Sequence, residues 1–66
     1  NGALMSKLTR REKEVAEKLA SGKRQSFIAN ELVISRRTVY NHVRSIREKI
    51  GAGSAFEAAV KLAKES

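Results

Sequence analysis

The side chains best suited to recognition chemistry lie in one run, where Ser35, Arg36, Arg37, Thr38, Tyr40, Asn41 and Arg44 follow closely on one another. Arginine offers two parallel donors that match the edge of guanine. Asparagine can pair at two points with adenine, and hydroxyls can donate to phosphate. Val39, Val43, Ile46 and Ile50 are threaded through the same run. At about 100° per residue these four fall in one narrow stripe, with Arg37, Asn41, Arg44 and Glu48 opposite. Tyr40 stands on one flank of the outward face and Ser45 on the other. A charged helix face is ordinarily no more than a solvated one, so its meaning depends on what holds it.

The holding elements can be read from their ends. Thr9 is followed three residues later by Glu12, the spacing of a reciprocal cap, and Gly22 closes the segment, which predicts a first helix over 10–21. Arg24 to Val33 forms a short second helix with Ile28, Ala29 and Leu32 on one side and a poorly marked start. Ser35 caps a third helix from Arg36 to Ile50, which Gly51 stops. After the turn Gly51-Ala52-Gly53-Ser54, Ser54 and Glu57 repeat the capping spacing before a last helix running to about Lys64. With no proline, few aromatics and no strict alternation, the chain reads as all-α. Residues 1–7 read as a linker or cloning remnant, and 8–66 as the folded domain. A short helix, a tight turn and a capped basic helix together make a helix-turn-helix, with helix three as the recognition helix.

Composition narrows the partners. Sixty-six residues can bury only a modest core, and no cysteine staples it. The missing cysteines fit a reducing compartment and point to the cytoplasm. The net charge of +7 and pI near 10.4 favour a polyanion. Apolar runs fall far short of the roughly 20 residues that span a bilayer, and no charged-then-apolar leader is visible. His42 is the single histidine, so with no cysteine it cannot anchor a usual zinc site. No nucleophile–base pair, glycine-rich phosphate loop or carboxylate cleft appears. The expectation is no enzyme, no cofactor, no metal and no small-molecule ligand. Glu12 and Glu14 sit where carboxylates suit the helix dipole.

Beyond these spacings, "LTRREKEV", Gly22, "IANEL" at 28–32, "ISRRTVYNHV" at 34–43, "EKIG" at 48–51 and "EAA" at 57–59 resemble the LuxR/GerE/NarL-FixJ type DNA-binding domain of bacterial transcription regulators. The resemblance runs from Leu8 to about Leu62 without a gap. It implies a four-helix domain that binds double-stranded DNA as a dimer, usually as the C-terminal effector of a longer regulator with a receiver or ligand-sensing domain. It places base reading on Tyr40, Asn41 and Arg44, and phosphate contacts around Arg37 and Thr38. Ser35 serves first as a cap and second as a phosphate donor, with Arg36 beside it. The chain departs from the family's pattern at Phe27 (usually glutamate), Arg24 (commonly a capping hydroxyl), Ala16 (usually leucine) and Arg47 (frequently apolar). Lys23 and Arg24 either touch phosphate or are exposed loop charges. Phe27 either packs at the edge of helices one and two or is exposed for a partner.

The last helix carries two apolar stripes, Phe56–Val60–Ala63 and Ala55–Ala59–Leu62. By bulk, Phe56 and Val60 are expected in the core. The side bearing Ala55, Ala59 and Leu62 is then free to meet a second copy, which predicts an inverted-repeat site; alternatively Leu62 packs inside. Three rival readings fit less well. A membrane-surface helix wants bulky apolar residues or tryptophan, and there is no tryptophan. A helical protein-interaction module gives no reason for arginines at reading positions. A sigma-factor region-four-like domain normally lacks the capped first helix.

Overall fold

The structure, a computed structural model, describes residues 3–65. Its four α-helices are α1 (Arg10–Ala20), α2 (Gln25–Leu32), α3 (Arg36–Ile50) and α4 (Ala55–Glu65), and no strand occurs among the described residues. The all-α expectation holds, with ends within a residue or so of those read from the caps. At α1 the Thr9 hydroxyl accepts from the Glu12 amide at 3.2 Å and a Glu12 carboxylate oxygen accepts from the Thr9 amide at 2.9 Å. Ser35 caps α3 by accepting from the Thr38 amide at 3.0 Å. At α4 Ser54 accepts from the Glu57 amide, but the Glu57 carboxylate reaches one residue further back, to the Gly53 amide.

The helices close around one core. Val39, Val43, Ile46 and Ile50 present the predicted stripe of α3 inward, where α1, α2 and α4 all pack against it. Ile28 and Val15 are fully buried opposite them. Burial of such side chains contributes about 1.5–3 kcal/mol each, the term that holds so short a chain together. Lys18 of α1 and Glu31 of α2 add an ion pair at 2.8 Å.

Two sequence expectations are corrected here. In α4 the bulky residues lie outside: Phe56 is 79% exposed and Val60 36%, while Ala58 and Leu62 are buried and Ala55 and Ala59 half-buried against the core. Ala16 and Ala58 are both wholly buried, and α1 and α4 pack against one another. Leu62 therefore belongs to the core. The second correction concerns the segment set aside as linker. Met5–Lys7 forms a single 3-10 turn, Leu4 and Met5 pack against the core, and the Leu4 amide donates to the Glu65 carboxylate at 2.7 Å. Apolar side chains that cover an open core edge are held there whatever their position in the sequence. Residues 1 and 2 lie outside the described residues.

The turn of the helix-turn-helix carries backbone strain. Val33, expected as the last residue of α2, instead ends it in the left-handed region with φ 56° and ψ 48°. That region costs an L-residue about 1–2 kcal/mol and is least tolerated by β-branched side chains. Val33 is 89% exposed, so its side chain contributes little packing in return. Val33→Asn is expected to raise the melting temperature by several degrees, about 1 kcal/mol in a domain of this size. Thermal unfolding followed by circular dichroism checks it, and an unchanged or lower midpoint would show that the turn is not strained.

Candidate nucleic-acid interface

The cap at Ser35 starts α3 in a fixed register, and the buried stripe fixes its rotation about its own axis. Together they decide which side chains are left outside. Arg36, Arg37, Tyr40, Asn41 and Arg44 emerge exposed and line one shallow concavity of about 570 Å3. Its wall holds three guanidinium groups, a phenol and two amides, with no carboxylate among its lining residues. Arg44 Nε lies 3.7 Å from the Glu48 carboxylate, with both side chains well exposed. Such a surface pair is worth at most about 1 kcal/mol and does not prevent Arg44 from turning to an anionic or acceptor-rich ligand.

The sixth lining residue, Gln25, is the first residue of α2 and was not singled out by sequence. Nothing in the local pattern marks it, because its place beside α3 is set by how α2 packs. Ser35 and Thr38 do not line the concavity. Their hydroxyls lie 2.9 Å from each other at the start of α3, with Ser35 exposed and Thr38 half-buried. Lys23 and Arg24 stand apart as well. They border a second depression of about 350 Å3 floored by Leu19, Ala55 and Ala59, with Phe56 at its side and Gln25 shared with the first. Phe27 is 43% exposed, and the Lys23 ammonium sits 4.7 Å above its ring, a cation–π contact that draws this charge partly out of the loop. Arg24 occupies the capping position of α2 without a side-chain capping bond.

Behind the reading face lies a polar node that the spacing of the residues did not reveal. Glu12 is buried, at 6% exposure, and besides its cap it accepts from the Ser45 hydroxyl at 2.6 Å and the Lys49 ammonium at 2.8 Å. Burial pushes its carboxyl up. The bonds from Lys49, Ser45 and the Thr9 amide outweigh that and hold it at about 2, well below the ordinary 4.5. One carboxylate thus ties the start of α1 to the second half of α3. Arg47, where the family pattern has an apolar residue, donates to the Gly53 carbonyl at 2.7 Å and braces the turn between α3 and α4. His42 is half-buried on α3. Among the described residues no group of three or more histidine, cysteine, aspartate or glutamate side chains could hold a metal, and no helix is long and apolar enough to cross a membrane.

A short helix, a strained turn and a capped basic helix whose outer face carries arginines, a tyrosine and an asparagine define a helix-turn-helix DNA-binding domain. The chain belongs to the bacterial regulatory proteins of the luxR family, whose family model matches residues 6–62. It is 44% identical over 55 residues to the spore germination protein GerE of Bacillus subtilis (strain 168), covering 83% of this chain and 74% of that protein. It is equally similar, 44% over 55 residues, to the transcriptional regulatory protein UhpA of Escherichia coli (strain K12), of which the chain spans only 28%. The transcriptional regulatory protein DesR of Bacillus subtilis (strain 168) is 47% identical over 51 residues, covering 77% of this chain and 26% of that protein. No solved structure matches. The domain is a DNA-binding effector of transcription regulation and not an enzyme.

Proposed function

We propose that the domain reads a specific double-stranded site by laying α3 in the major groove, with Tyr40, Asn41 and Arg44 against base edges. Arg36, Arg37, Ser35 and Thr38 meet the phosphates from the start of α3, and Lys23 and Arg24 from the loop before α2. The observation that carries this reading is the acid-free concavity, because it gathers donors of both kinds on the one face of α3 that the core leaves outside. If Lys23, Arg24, Arg36 and Arg37 each neutralise a phosphate, the slope of log affinity against log salt is about −3.6 per bound copy. Titrations from low to moderate salt measure it, and binding that hardly changes would overturn the reading.

The same proposal places two copies on DNA, in the cytoplasm, as the effector part of a longer regulator with a receiver or ligand-sensing domain. Ala55, Ala59 and Leu62 are turned to the core, so the contact with a second copy moves to the opposite stripe of α4. There Phe56 and Val60 are exposed apolar side chains. A two-fold contact through this stripe sets two α3 helices about one helical turn apart on an inverted repeat. Phe56→Lys is expected to keep the helical circular dichroism and the half-site affinity while losing the gain from a second half-site. Parental affinity and stoichiometry on the paired site would exclude this stripe as the dimer contact.

A further inference from the structure

The reading face is not made by α3 alone. Gln25 enters the concavity from the start of α2 and also lines the depression bordered by Lys23 and Arg24, so it stands between the reading side chains and the basic loop. Its side chain is half-buried, and its amide makes no hydrogen bond among the described residues. In a helix-turn-helix the first helix crosses the DNA backbone while the second enters the groove. A residue of the first helix that opens onto the reading concavity therefore lies at the groove edge, where the phosphate strand passes. A neutral amide among three arginines adds no attraction at a distance. What it adds is a short-range directional donor to a phosphate oxygen, whatever the base sequence.

We propose that Gln25 donates a hydrogen bond to a DNA phosphate at the edge of the groove and so adds affinity that does not depend on base sequence. The proposal rests on the α3-in-groove reading above and carries its own signature. An uncharged donor releases no counterion, so its loss lowers affinity without changing the salt slope, whereas loss of a lysine or arginine on a phosphate flattens the slope by about 0.9.

The experiment measures binding of the parent, Gln25→Ala, Gln25→Met and Gln25→Glu to a selected site and to scrambled DNA across salt, with circular dichroism of each variant. Methionine keeps the length and packing of the side chain without its donor. The expected result is that the alanine and methionine variants bind both DNAs about 3–10-fold more weakly than the parent, with the parent's slope and the parent's base preference. Gln25→Glu binds more weakly still, and its deficit shrinks as salt rises. Parental affinity in Gln25→Met overturns the proposal, because the donor then does nothing. A change of preference at a single base pair also overturns it, because Gln25 would then touch a base edge. A parent that binds DNA without salt dependence fails the underlying reading, and that result is visible before any variant is compared.

Discussion

Glu12→Ala is expected to cost the domain about 3 kcal/mol of stability, a large share of the roughly 3–10 kcal/mol available to a chain of this length. The substitution removes the cap partner of Thr9 and the acceptor of both Ser45 and Lys49 from a buried position. Acid titration isolates the charge itself. The folded carboxyl at about 2 lies below its ordinary 4.5, so the stabilisation is complete above about pH 4.5 and is lost as pH falls towards 2. Urea unfolding of the parent at several pH values should show that decline. Glu12→Gln should lack this group's share of it while keeping the amide acceptor for Thr9. Equal stability of parent and glutamine variant at neutral pH, with the same acid profile, would remove the carboxylate from the account.

Replacing Asn41 or Arg44 by alanine is expected to weaken binding to a cognate site by about 1–3 kcal/mol each, and to flatten base preference at one or two positions. Arg37→Ala should weaken cognate and scrambled DNA alike, since a phosphate contact carries no sequence information. The structure sharpens the contrast, because all three side chains are exposed and none is part of the core. Their removal should leave the melting temperature close to the parent's. Competition assays with single-base variants of a selected site measure the effect. If Asn41→Ala and Arg44→Ala keep the parent's ratio of cognate to scrambled affinity, base reading lies elsewhere on the face.

The rotation of α3 was legible in the sequence because its apolar residues repeat at the helix's own period and its cap and stop are local signals. The outward set at Arg37, Asn41 and Arg44 followed at once. The faces of α4 were not legible by the same reasoning. Both of its stripes are apolar, so bulk alone does not decide between them, and the face turned inward carries Ala58 and Leu62. The Glu12 node was hidden for another reason. Its partners Ser45 and Lys49 lie on a different helix, and no periodic pattern links them to α1. Gln25 became visible only when α2 was seated against α3. The helical pattern carries α2 through Val33, and the left-handed backbone there is a consequence of closing the turn in so few residues.

The hydrogen bond from the Leu4 amide to the Glu65 carboxylate brings the two extremities of the fold within a single bond of each other. Topologically the domain is almost a ring. Joining residue 4 to residue 65 through a short bridge and opening the chain at an exposed turn such as Gly22 would leave the same helices in the same contacts, in a different order along the polypeptide. The order in which the helices are written is therefore incidental to the reading face, which depends on what α3 is packed against and not on which helix comes first.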